Sequence, residues 1–218
     1  YEAMNFDVSL QYYSADYGTF GIAAFYKDIE DFIYEQVFTG AEADAILSGA
    51  TEVETFENGD SGDILGLELS YFKQLDFLPG PLAGLSFTGN LTLTDSEADA
   101  ERPGGGGTAT TPFIKQSDMI GSVSLAWEWE RIFVRLSGSY RDDYLDELGE
   151  NELEDRYVDD FFQADLYSSV RITDNVTAFL EVNNLTDEPF RAYWKGSDRL
   201  SQNEEYGVSG AIGIKASF

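Results

Sequence analysis

LSFTGNLTLT, residues 85 to 94, decides how the rest of the sequence is read. Leu85, Phe87, Leu91 and Leu93 share one parity, and Ser86, Thr88, Asn90, Thr92 and Thr94 share the other. Side chains alternate between two faces only in a strand, so these ten residues define one apolar face and one polar face. The same period of two extends outward in both directions. Before it lie Phe6, Val8, Leu10 and Tyr12; then Phe20, Ile22, Ala24 and Tyr26; then Leu65, Leu67, Leu69 and Tyr71. After it come Val123 to Trp129, Ile132 to Tyr140, Phe162 to Ile172, Val176 to Val182 and Tyr206 to Phe218. The pattern predicts nine strands and no helix.

The joins between these strands alternate in length. Those near residues 16–18, 75–82, 130–131 and 173–175 are short, whereas those near 40–60, 95–117, 141–157 and 186–204 are long, polar and acidic. Residues 40–60, 95–102, 141–160 and 187–205, in and beside these long joins, carry 25 of the 41 acidic residues. An all-β, antiparallel, up-and-down meander with short turns at one end and long loops at the other matches a transmembrane β-barrel. The apolar faces are free of charge for eight to ten residues, about what a tilted strand needs to cross the hydrocarbon layer. Aromatic residues fall near both ends: Tyr12, Tyr13, Tyr17, Tyr71, Phe72, Phe77, Trp127, Trp129 and Phe218 at the short turns, and Tyr140, Tyr144, Tyr157, Phe161 and Phe162 at the long loops. Two girdles of this kind suit membrane interfaces. Alternation alone also suits a soluble β-sandwich binding module, and the length suits a small porin or adhesin.

Composition narrows the chemistry. The 218 residues carry a formal charge of −28, with 13 basic residues scattered among acids. Nucleic acid is therefore excluded as a partner, because a polyanion is held by clustered Lys and Arg. There is no Cys and no His, which removes disulfides, thiolate and Ser/His/Asp catalysis and imidazole metal sites. No enzymatic activity and no cofactor are expected. No apolar run is long enough for a membrane-spanning helix, which leaves barrel strands unaffected.

Several strings carry a family resemblance: FYKDIEDFI at Phe25 to Ile33, GLELSY at Gly66 to Tyr71, FLPGPLAGLSFTGNLTLTDSEA at Phe77 to Ala98, and EVNNLTDEPF at Glu181 to Phe190. In this order and spacing they resemble the C-terminal barrel of a TonB-dependent outer-membrane receptor of a Gram-negative bacterium. The resemblance implies a 22-stranded barrel, of which residues 1–218 would be the C-terminal part, lacking the plug and the N-terminal strands. It also implies active import of a siderophore, cobalamin, oligosaccharide or peptide, powered through TonB, ExbB and ExbD, with the long loops outside. Ala211, Gly213, Ala216 and Phe218 resemble the terminal signal read by the barrel-assembly machinery, although Ala216 stands where a bulkier apolar residue is usual. The other implied partners are outer-membrane lipid and lipopolysaccharide.

Two loop features are weighed on their residues. DDYLDELGENELEDRYVDD, Asp142 to Asp160, is dense in carboxylates but lacks the spacing of a calcium loop, so it reads as a solvated loop. Tyr193 and Trp194 are the candidate ligand contacts, since a flat ring on an exposed loop can stack on a sugar or on an aromatic or peptide ligand; placement in an interface girdle suits the two rings equally. The run Gly104 to Gly107 lacks the Lys-Ser/Thr of a phosphate loop and reads as a flexible tip.

Overall fold

In a computed structural model of the chain, which describes residues 1–196 and 199–217, the elements in order are β1 (Glu2–Ser14), β2 (Gly18–Glu30), β3 (Ile33–Thr39), helix α1 (Gly40–Ile46), β4 (Glu52–Asn58), β5 (Ser61–Gln74), β6 (Leu85–Glu101), β7 (Thr108–Thr111), β8 (Met119–Trp129), β9 (Ile132–Arg141), β10 (Tyr144–Glu147), β11 (Arg156–Val158), β12 (Phe161–Thr173), β13 (Val176–Asn183), β14 (Phe190–Trp194), β15 (Arg199–Glu204) and β16 (Ser209–Ala216). Nine of these strands form a continuous antiparallel wall in the order β1-β2-β5-β6-β8-β9-β12-β13-β16, with β7 added on the far end of β6. They are the nine strands that the alternation predicts. β1 and β16 are the two edges and do not pair with each other, so the wall is open rather than a closed small barrel.

Register explains why the wall has two unlike faces. Leu10 pairs with Ile22, Ile22 with Leu69, and Leu69 with Leu91. Further along, Leu125 pairs with Leu136, Leu136 with Leu166, and Leu180 with Ile212. A slip of one residue would turn any of these strands inside out, so apolar matching fixes the register. No second layer covers this apolar face among the described residues. Phe6 is 61% exposed, Leu10 69% and Ile212 85%. In water such a face would drive association, whereas hydrocarbon is its natural solvent. The missing second layer rules out the β-sandwich alternative.

Aromatic placement follows parity as well as height. Phe20 and Tyr71 lie 4.4 Å apart on the apolar face near the short turns, and Tyr71 continues to Phe87 at 5.9 Å. Trp127 on the same face donates Nε1–H to the Pro81 carbonyl at 2.8 Å, pinning the short join between β5 and β6. Tyr13, Phe72 and Phe161, expected in the girdles, have the opposite parity and stand on the polar face. Tyr144 and Tyr157 leave the wall altogether for the loop-end strands β10 and β11.

The long joins are more ordered than their polarity predicts. β3 and β4 form a hairpin tipped by α1, and β10-β11-β14-β15 form a four-stranded sheet. Together these make a folded cap at one end of the wall. The cap has the small buried core of the molecule: Phe32, Tyr34, Ala98 and Ala100, packed against Ile29, Phe113, Ile114 and Leu148. The last strand also differs from expectation. Tyr206 and Val208 precede it, because Gly207 adopts φ 72° and breaks the extended run, and β16 starts at Ser209.

Candidate functional site

The polar face of the wall presents a row that runs Gln11, Gly21, Ser70, Asn90, Ser122, Ser139 and Gln163 across seven strands. Short hydroxyl and amide side chains leave room there, and two recesses open where the wall meets the cap. One, of about 260 Å³, is lined by Asn90, Ser122, Ser139, Arg141 and Phe161 among others. The other, of about 350 Å³, adds Gln163, Asn183 and Phe190 to the same Arg141 and Phe161. Arg141 is thus shared by both.

The setting of Arg141 is unusual for a chain with so many acids. Its guanidinium lies 4.7 Å from the centroid of the Tyr144 ring and 5.7 Å from that of Phe161. Ring faces attract a cation without neutralising it, so the charge stays available while its position is held. The Nε is buried and donates to no described group. Glu188 lines the larger recess, and burial, reinforced by Asp160, raises its carboxyl above the ordinary Glu pKa. Composition had directed attention to carboxylates, so Arg141 was missed. Its signal was a cation of polar-face parity at the end of a strand, three residues before Tyr144.

The cap is tied together by charge. Arg102, beyond the end of β6, forms a two-pronged pair with Asp155, one prong at 3.0 Å. The Asp155 carboxylate also accepts Gly149 N–H at 3.0 Å, and its own side chain is 1% exposed. Arg156 reaches Asp146, Glu147 and Gln202, joining β10 to β15. Lys115 bonds Glu35 at 2.6 Å and Lys195 bonds Glu152 at 2.8 Å. Every side-chain ion pair among the described residues lies in this cap. The segment from Asp142 to Asp160 is accordingly folded, not a solvated loop: Asp155 and Glu152 pair with Arg102 and Lys195, distant in sequence, and Asp146 and Glu147 pair with Arg156 within the segment. No group of metal-ligating side chains is gathered among the described residues.

Tyr193 and Trp194 do not form one contact surface. Adjacent residues on β14 face opposite ways. Tyr193 stacks on Tyr157 at 5.9 Å and donates its hydroxyl to Asp143 at 2.7 Å. Burial and that carboxylate push its pKa well above the usual tyrosine value, so it is a fixed structural donor. Trp194 points the other way, into a cavity inside the cap. Of the four terminal residues, Ala211, Gly213 and Ala216 pair with Glu181, Phe179 and Val176 on the last strand, and Phe218 lies outside the described residues. The Phe179 ring lies over Gly213, where a Cβ would come within 2.6 Å of it.

The family model for the TonB dependent receptor-like β-barrel matches residues 1–185. The chain belongs to this family. Solved TonB-dependent barrels have the same fold. The ferric yersiniabactin uptake receptor of Yersinia pestis matches with a TM-score of 0.67 at 20% identity, over 99% of this chain and 30% of that one. The ferric-catecholate import receptor of Escherichia coli K12 matches at 0.65 and 15%, over 99% and 27%. A siderophore receptor of Acinetobacter baumannii matches at 0.63 and 17%, over 99% and 32%. The chain therefore spans about three tenths of the length of these receptors. A search of curated proteins finds no match.

Proposed function

We propose that this chain forms the C-terminal part of the wall of an outer-membrane receptor that imports a scarce nutrient as an anionic chelate of the siderophore class. The cap faces outward, and uptake is driven through TonB and its ExbB/ExbD motor. Ala211, Gly213, Ala216 and Phe218 serve the barrel-assembly machinery, and the apolar face with its rings contacts lipid. The observation that carries the ligand class is Arg141, whose uncompensated guanidinium is held by Tyr144 and Phe161 between two recesses of the polar face. A charged acceptor on the ligand would complete its hydrogen bonding, and charge-assisted bonds are the strong ones.

The test is uptake of radiolabelled ferric catecholate, hydroxamate and carboxylate chelates by the full-length protein, in a host stripped of its own receptors. One chelate should accumulate only when TonB is present. Arg141→Ala should weaken its binding by about ten-fold, the worth of one charge-assisted hydrogen bond, while leaving surface abundance unchanged. Accumulation that persists without TonB would refute the energised reading, and unchanged affinity in the variant would refute the role of Arg141.

A further inference from the structure

The cap carries a half-open cavity of about 310 Å³, with Glu150 and Glu154 at its exposed side, that shares no lining residue with the recesses around Arg141. Three members of one register row of the loop sheet, Glu147, Trp194 and Arg199, line it, and the fourth, Arg156, does not. Glu147 pairs with Arg156, Arg156 with Trp194, and Trp194 with Arg199, so consecutive strands deliver these side chains to one line. Val37 and Thr39 of β3 close one side, and Leu148, which also packs on the buried core, supplies an apolar wall.

Charge in this cavity is unbalanced. Glu42, Glu147, Glu150 and Glu154 face it with Arg199 as the one cation of the lining. Two of the four carboxylates are already engaged: Glu42 accepts Gly104 N–H at 2.9 Å and Glu147 accepts from Arg156 at 3.1 Å. Glu150 and Glu154 make no side-chain hydrogen bond or ion pair among the described residues. The Glu150 carboxyl lies against Gly104, where a Cβ would come within 2.9 Å of it, so a glycine there leaves space for the carboxylate. Trp194 supplies the best ring face for a cation, and the volume is that of a small-ligand pocket.

We infer that this cavity binds a small organic cation, a primary amine on a flat or apolar body, with the ammonium between Glu150, Glu154 and the Trp194 ring and the body against Val37 and Leu148. Neither the wall nor the lumen-side arginine takes part. The ion pairs that fold the cap preorganise the site, so no rearrangement of the loops is needed to form it.

The test uses the full-length protein in detergent, labelled with 5-fluorotryptophan, and follows the fluorine resonance assigned to Trp194 by its loss in Trp194→Phe. Phenethylamine is the probe, with phenylacetate and benzyl alcohol as its anionic and neutral counterparts. Phenethylamine should shift the resonance saturably, and the other two should not. The double variant E150Q/E154Q should bind at least three-fold more weakly with the cap intact, as judged by unchanged amide exchange at Gly196. An equal shift with benzyl alcohol or phenylacetate, the absence of saturation, or undiminished binding in the double variant would each overturn the inference. Uptake plays no part in this readout, so its outcome is independent of the transport proposal.

Discussion

Replacing Asp155 by Ala tests whether the cap is held by buried charge. The carboxylate is 1% exposed and the Arg102 side chain 9%, so the pair is shielded from water on both sides. Removal deletes both prongs to the guanidinium and the bond from Gly149 N–H. Breaking a buried pair by removing one partner costs about 3–5 kcal/mol, because the other charge is left buried alone. Here Arg102 keeps its 3.0 Å bond to the Gly149 carbonyl, which places the cost near the low end, about 3 kcal/mol. At about 1.4 kcal/mol per factor of ten, opening of the cap becomes roughly 100-fold more frequent. Hydrogen exchange reads this directly at Lys195 and Gly196, whose amides donate to the carbonyls of Asp155 and Leu153. Their exchange should accelerate by that factor while amides in the middle of β8 and β9 stay unchanged. In the double variant R102M/D155L no charge is stranded, and protection should return to near its original level. Acceleration below three-fold in D155A, or a double variant as open as the single one, would refute the reasoning.

Three further outcomes follow from the structure. In the β3–β4 hairpin a hydrogen bond with Glu35 raises the pKa of Glu54 above 4.5, while the same bond, then Lys115, lowers that of Glu35. The Glu54 contribution is full below 4.5 and lost as pH rises through its raised pKa; the Glu35 contribution is present above 4.5 and lost as pH falls through its lowered pKa. Amide protection in this hairpin, measured relative to the intrinsic exchange rate at each pH, should therefore be greatest near the ordinary carboxylate range, and protection that does not vary with pH would count against the shared proton. Gly213→Val should eject the Phe179 ring and reduce the yield of folded barrel several-fold, and adding Phe179→Ala should restore it; no rescue would mean that Gly213 is needed for a reason other than ring packing. Arg141→Lys should bind the proposed anionic chelate more weakly than wild type, because an ammonium lacks the planar fork and stacks less well on Tyr144 and Phe161; equal affinity would remove the stacking argument.

The wall was legible because lipid on one face and hydrogen-bonding groups on the other impose a period of two, which runs through all nine strands despite rings such as Tyr13, Phe72 and Phe161 on the polar face. Parity also restricted the register, since a slip of one residue would take Leu10, Ile22, Leu69 or Leu91 off the shared face, but a slip of two would not, so the exact pairing rests on the turns as well. The cap was not legible. Glu52 to Asn58 alternates weakly, with Val53, Thr55 and Glu57 on one parity, and its pairing with β3 depends on contacts outside the segment. Asp155 looked like one more solvated acid because its cation, Arg102, stands 53 residues away. Tyr193 and Trp194 read in the sequence as flat rings on an exposed loop, whereas they stand on β14 with opposite parity, which only the pairing of that strand reveals.

β6 shows how the two parts of the molecule are mechanically joined. A strand crosses the hydrocarbon layer in about 9–11 residues, and β6 has 17. Its first ten residues, Leu85 to Thr94, carry the strict apolar alternation, and the remainder runs on into the cap. There Ala98 and Ala100 are 3% exposed beneath Phe32 and Tyr34, and the Tyr34 hydroxyl donates to the Glu101 carbonyl at 3.0 Å. Small side chains at these two positions let the β3 hairpin approach the strand closely. One continuous ladder thus anchors the cap core to the membrane wall, and Arg102, the next residue, carries the connection on to Asp155. The ion pairs decide whether the loops fold, but β6 decides where the folded loops stand, which is why the cavity beside Trp194 and the recesses around Arg141 keep fixed places above and along the same wall.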